Sequence, residues 1–286
     1  MMIPPGPVSD HVQAVLSNFP VYRDYCAGRI PRTEYTRWIE TDAATVKAAL
    51  GDSAGLLRLA SRYPPDFDAH ADEVFEALVH GGFLPGADNA AGFKEYRNTI
   101  RAAYDHGTRH TYIQPDEARL LYLISTAIRP KRMLAVGSYY GYWAVWAMPG
   151  VAAAGGEAVL IDPNREVCAL AERNFRALGF ADRTLVRAKK AEDVFPQIAP
   201  GIDLALLDAD GGRDNPDPAY HGKGIYGFLV EGMFDRMRDG ALLVVHNDYA
   251  QGPRAASLER FHAFCRDNFR AHHVAETPEG FGVYLK

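Results

Sequence analysis

After residue 130 the chain falls into short apolar runs separated by amphipathic ones. RMLAVGS (132–138), EAVLIDP (157–163), RTLVRAK (183–189), IDLALLDAD (202–210), GALLVVHND (240–248) and GFGVYLK (280–286) read as strands. Between them, REVCALAERNFRALG (165–179) and AASLERFHAFCRDNF (255–269) place apolar residues three and four apart, as a helix with one buried face does. Largely apolar strands alternating with helices predict a parallel sheet covered on both faces. PDEARLLYLISTAI (115–128) opens with proline and acids, a helix start. The first hundred residues differ. EYTRWIETDAATVKAALG (34–51), GLLRLASRY (55–63), DAHADEVFEALVHGGF (68–83) and FKEYRNTIRAAYDHG (93–107) are helical by the same spacing, and no alternating β pattern interrupts them. The expected organisation is a helical region over 1–107 and a doubly wound, mostly parallel α/β domain over 108–286.

Composition narrows the function. With 286 residues and 48% hydrophobic side chains the chain can bury a sizeable core. A net charge of −5 offers no electrostatic reason for a nucleic acid or an anionic membrane as partner, which leaves small-molecule chemistry. Three scattered cysteines (Cys26, Cys168, Cys265) form no disulfide framework or CxxC metal motif and point to a reducing compartment. MMIPPGPVSD lacks the charged and apolar regions of a signal peptide, and no apolar run reaches the roughly 20 residues of a spanning helix. A cytoplasmic location is expected, and a closed homodimer is the prior for such an enzyme.

The stretch MLAVGSYYGYWAVWAM (133–148) runs from a strand through Gly137 and Gly141 into a helix. In a doubly wound sheet this turn, at the carboxyl end of the first strand, is where a nucleotide-like ligand sits. The glycines let the backbone turn tightly and approach that ligand closely. Asp162 ends the next strand at about the spacing of ~20 residues at which an acid grips ribose hydroxyls. The spacing is not GxGxxG, and Tyr139 and Tyr140 fill the turn, so a ligand without phosphates fits better than a dinucleotide.

From about residue 108 to the end the chain resembles the S-adenosylmethionine-dependent O-methyltransferases of the catechol and caffeoyl-CoA type. LAVGSYYGYWAVWAM corresponds to that family's first strand and loop, followed in order by VLIDPNREVCALAERNFRALGF, LALLDAD, GALLVVHND and GFGVYLK. The resemblance implies a Rossmann-like methyltransferase fold. It also implies that Gly137, Ser138, Tyr139 and Gly141 wrap the methionine part of the cofactor, that Asp162 takes its ribose, and that Tyr112, Asp208 and Asp210 lie beside it. Ala135 and Lys190 stand where the family commonly carries acids.

In the resembled enzymes a divalent cation, held by the Asp of DAD and by an Asp–Asn pair, binds the acceptor and lowers its hydroxyl pKa. Here Asp208 keeps the first position, His246 replaces the Asp, Asn247 keeps the Asn, and Gly211 replaces a lysine that often follows DAD. One expectation is that Asp208, His246 and Asn247 hold a metal, with histidine moving the preference from Mg²⁺ toward Mn²⁺, Fe²⁺ or Zn²⁺. Another is that no metal binds and His246 is the general base, and a third is a structural His246 capping a strand end, with Asp208 and Asp210 ordering a loop. The polar stretch GGRDNPDPAYHGKGIYGFL (211–229) is expected to border the acceptor, with Lys223 and Tyr226 as its candidate contacts. YRDYCAGRIPRTEYTRW (22–38) is a candidate lid, dimer surface or plain helix pair, and His106 and His110 are candidates for a junction or site role.

The expected activity is methyl transfer to a small molecule, foremost to an oxygen of a phenolic or polyhydroxylated acceptor. Nitrogen or carbon acceptors, a cofactor-binding protein without transferase activity, and a nicotinamide-dependent oxidoreductase are the alternatives.

Overall fold

The computed structural model describes residues 3–51, 53–86, 91–249, 251 and 254–286. Its centre is a seven-stranded sheet. In chain order the strands are β1 (Arg132–Val136), β2 (Glu157–Ile161), β3 (Thr184–Arg187), β4 (Ile202–Leu207), β5 (Met237–His246), β6 (Ala271–Ala275) and β7 (Phe281–Leu285). They lie side by side as β3-β2-β1-β4-β5-β7-β6. The first five pair in parallel, and β7 runs antiparallel between β5 and β6. Chain direction across the sheet reverses between β1 and β4, so the loops leaving these two strands part and open a crevice at their carboxyl ends. That crevice is the site.

Five of the six sequence-predicted strands are parallel members of this Rossmann-like sheet, and the sixth is the antiparallel β7. The sequence reading missed β6, an edge strand whose AHHVA carries two histidines and only one fully buried residue. An edge strand with a wet face lacks the continuous apolar signature of its neighbours.

Helices cover both faces. Phe67–His80, Phe93–Ala103 and Pro115–Ile128 share one core with one side of the sheet. Ile225–Phe234 and Glu259–Asn268 close the other side. A third core, built only from residues 8 to 63, joins Val8–Leu16, Pro20–Cys26, Arg32–Thr41, Ala43–Ala49 and Ala54–Arg62. The helix expected over 34–51 is therefore two, divided at Asp42, whose ψ of 20° leaves the helical region. In 22–38 the aromatic side chains serve this core: Tyr22, Tyr25 and Tyr35 are buried, and the rings of Tyr25 and Tyr35 stack 4.2 Å apart. Arg58 ties this helical unit to the hairpin before β7, its Nη2 donating to both oxygens of buried Glu279 at 2.9 and 3.0 Å.

Candidate active site

The turn after β1 has two glycines that cannot be replaced without rearrangement. Gly137 has φ +71°, and a Cβ there would come within 2.3 Å of Ala209 Cα, so the turn nests against the one leaving β4. Gly141 has φ +83°, and a Cβ there would come within 2.6 Å of the Phe175 ring, so the turn lies close against the helix Arg165–Ala177. Both positions need glycine for backbone conformation and close approach. Between them, Tyr139 also adopts a left-handed φ of +50° and leaves its side chain 38% exposed at the crevice.

Asp162 faces this turn from the end of β2. Its Oδ2 accepts from the Tyr139 backbone N–H at 3.0 Å and its Oδ1 from that of Asn164 at 2.9 Å. Burial raises its pKa, the two N–H donors pull it down, and the charge of Asp208 adds a smaller upward push. Ser138 is buried, and its Oγ has no hydrogen-bond partner among the described residues. A small gap lined by Ala135, Ser138, Trp143, Leu206 and Asp208 lies where the resembled family carries its acid. Trp143 Nε1 is likewise unpartnered among the described residues. Two buried donors and the missing carboxylate leave this end of the crevice richer in donors than the family pattern implies.

At the carboxyl end of β4 lies a chain of four charges. Lys223 Nζ donates to Asp208 Oδ1 at 2.7 Å and to the Ala209 carbonyl at 3.0 Å. His246 Nδ1 is 3.2 Å from the same Asp208 oxygen, within ion-pair range though off the axis of a hydrogen bond. Its Nε2 lies 3.1 Å from Glu117 Oε2, a hydrogen bond between buried groups. Burial alone would lower the His246 pKa, but the facing carboxylates of Asp208 and Glu117 outweigh it and push it up to about 10. Burial would raise Asp208, yet Lys223 and His246 hold it well below the usual carboxylate range.

This geometry bears on the sequence expectations for His246. His246 is 2% exposed and has a carboxylate oxygen beside each ring nitrogen, which favours its protonated form over a free base facing the crevice. The set Asp208, His246 and Asn247 does not fit a divalent ion either. Lys223 and His246 already crowd the Asp208 oxygen, and the Asn247 amide nitrogen turns toward Tyr249 Oη and Glu279 Oε2 at 3.5 and 3.4 Å. Among the described residues no group of three or more His, Cys, Asp or Glu side chains could hold a metal.

Around these groups lies a cavity of about 800 Å³. It is lined by the expected residues Tyr112, Gly137, Tyr139, Asp162, Asp208, Asp210, Lys223, His246 and Asn247, and by Lys190. Tyr112 stands 47% exposed at its edge, and Asp210 is exposed. Tyr226 is not at the cavity: fully buried, it donates to the His246 carbonyl at 2.8 Å and so braces the strand end. His110 lines the cavity and its Nδ1 lies 2.9 Å from the Pro4 carbonyl; His106 is paired with the Tyr140 hydroxyl at 2.8 Å. Asp248, next to the family pair, turns away from the cavity and is held by His262 and Tyr284 at 2.7 and 2.6 Å. Glu117 escaped sequence reasoning. In PDEARLL it reads as the acid of a helix first turn, and it does serve there, accepting from the Gln114 N–H in a capping box.

Comparison with known proteins bears on this geometry. Residues 134–248, from β1 through the end of β5, match a methyltransferase-domain family model. A catechol O-methyltransferase of Mycobacterium tuberculosis is 29% identical over 185 residues, covering 64% of this chain and 72% of that protein. The O-methyltransferase from Bacillus cereus, solved in complex with SAH, is 18% identical with a TM-score of 0.50 over 77% of this chain and 100% of its own. The O-methyltransferase TomG from Streptomyces achromogenes, solved with SAM, has the same identity and TM-score over 75% of this chain and 94% of its own. In motif order and strand order the chain is thus similar to S-adenosylmethionine-dependent O-methyltransferases, with a methyltransferase-domain match over residues 134–248 and the fold of the solved enzymes.

Proposed function

We propose that the crevice binds S-adenosylmethionine beside β1 and β2 and presents its methyl group to an oxygen of a small phenolic or polyhydroxylated acceptor lodged near Lys223. The cofactor reading is supported by the glycine turn nested on Ala209, the Asp162 carboxylate aimed into the crevice, and the unpartnered donor of Ser138. Asp162 holds the ribose hydroxyls, the 137–141 turn cradles the methionine part, and Tyr112 and Tyr139 flank it. Asp208 and Asp210 border the transfer zone. When bound, the cofactor supplies a sulfonium methyl for in-line displacement, which leaves this chain to position the acceptor and stabilise its oxygen.

The observation that carries the acceptor end is Lys223. Its ammonium lines the cavity while fixed on Asp208 and the Ala209 carbonyl, and so offers a preorganised positive charge to an acceptor oxygen. A cation beside a phenolic oxygen favours the phenolate, the form that attacks a methyl group. The lysine that the resembled family places directly after DAD is thus supplied from 12 positions beyond Gly211. Lys223→Met is expected to lower kcat by about 10²-fold or more, the scale for removing one preorganised charge, with cofactor affinity little changed. Lys223→Arg retains part of the rate. Full activity in Lys223→Met would overturn the assignment.

A further inference from the structure

In the resembled enzymes a divalent cation neutralises the carboxylates at the ends of β4 and β5. We infer that a clamped imidazolium takes over that electrostatic role here, and that Glu117 is the positioning residue that fixes it; the inference rests on the methyltransferase reading only for the placement of the acceptor.

The His246 ring is enclosed. Glu117 Oε2 faces Nε2 at 3.1 Å, Asp208 Oδ1 faces Nδ1 at 3.2 Å, and the Trp143 ring covers it at 5.6 Å between centroids. The hydrogen bond to Glu117 requires a proton on Nε2, and the Asp208 charge 3.2 Å from Nδ1 favours a second proton on that nitrogen. Neither nitrogen then has a lone pair for a metal.

Glu117 is held on both of its oxygens by the protein itself. It is completely buried, its Oε1 accepts from the Thr277 hydroxyl at 2.6 Å, and its Oε2 accepts from the Gln114 N–H at 2.9 Å. One donor comes from the helix cap and the other from the segment leading into β7, so two distant parts of the chain hold it in place. An uncompensated buried charge is costly, so Glu117 requires the cation it faces. Lys223 completes the set: carboxylates at 117 and 208 oppose cations at 223 and 246. A divalent ion on Asp208 would have to expel Lys223 and strip a proton from His246, leaving Glu117 facing a neutral ring.

The test uses the full chain, freed of metal by chelation and loaded with S-adenosylhomocysteine, titrated with Mn²⁺ and followed by electron paramagnetic resonance of the free ion. The wild type is expected to leave Mn²⁺ free. The double variant His246→Asp/Lys223→Met, which restores the family's oxygen donors and removes both cations, is expected to take up about one ion per chain. Ring nitrogen NMR at pH 8 supplies an independent reading: in the wild type both His246 nitrogens carry protons, and in Glu117→Gln one of them has lost its proton. Stoichiometric Mn²⁺ uptake by the wild type, a neutral His246 in the wild type, or no Mn²⁺ uptake by the folded double variant would each overturn the proposal. Calorimetry of S-adenosylhomocysteine on the same preparations reports separately on the methyltransferase reading.

Discussion

Asp162 holds two backbone N–H groups, and both lie on segments that wall the crevice, so one side chain sets the shape of the turn. Hydrogen bonds to a charged group contribute about 1.5–3 kcal/mol, so Asp162→Ala is expected to weaken S-adenosylhomocysteine binding by about 10- to 100-fold by calorimetry. Unchanged affinity would remove Asp162 from the cofactor site. His246 makes a prediction about pH. Its folded pKa is pushed up to about 10 from an ordinary 6.5, so the folded state holds a proton that the unfolded chain releases. The resulting stabilisation is complete below about pH 6.5 and is lost as pH rises toward about 10, so urea midpoints should fall across that window. In His246→Gln this part of the decline should disappear, and an identical pH profile would show that His246 is not charged in the fold. Asp162, Gly137 and Asp208 were legible in the sequence because they end strands, where chain order alone predicts the ligand side. Glu117 was not, because its partner is 129 positions away and its residue type has an ordinary role at a helix start.

Elements were readable in proportion to how uniformly they are buried. β1, β2, β4 and β5 are packed on both faces and announce themselves as apolar runs, whereas β6 is edged by water and spends its alternation on histidines. Val8–Leu16 escaped because it is only two turns or so long, too short for a period to emerge, whereas the helix pair that was one reading of 22–38 is present as Pro20–Cys26 and Arg32–Thr41. The 34–51 pattern gave one helix because its apolar spacing continues past Asp42, and only the backbone reveals the break. The helix Ala54–Arg62 shows what the helical unit contributes to the site. Arg58 reaches Glu279, and Glu279 also accepts from Tyr249 and faces Arg254, so the segment after β5 is tied to the first 63 residues. Arg58→Ala leaves Arg254 on that carboxylate and should cost about 1–3 kcal/mol in urea unfolding. Arg62→Ala, which loses a ring contact to Tyr249 at 5.8 Å, should cost less than about 1 kcal/mol. Equal effects would show that Glu279 does not depend on Arg58.

At the scale of the whole molecule, the site exists because the sheet changes direction between β1 and β4. The turns leaving those strands touch at Gly137 and Ala209, and the cavity opens beyond them. No helix of the described residues is long and apolar enough to cross a membrane. The β1–β2 end of the crevice follows the pattern that the sequence announces, while the β4–β5 end departs from it, with two carboxylates and two basic side chains set against one another. These two halves make different demands on added metal. The most direct measurement is a calorimetric titration of the full chain with S-adenosylhomocysteine, run with and without Mn²⁺. The account predicts binding with Kd on the order of micromolar, about −8 kcal/mol, with the same affinity in both runs. Absence of heat in both runs would contradict the methyltransferase reading of the glycine turn, and binding that appears only with Mn²⁺ would contradict the charge arrangement assigned to Asp208, His246 and Lys223.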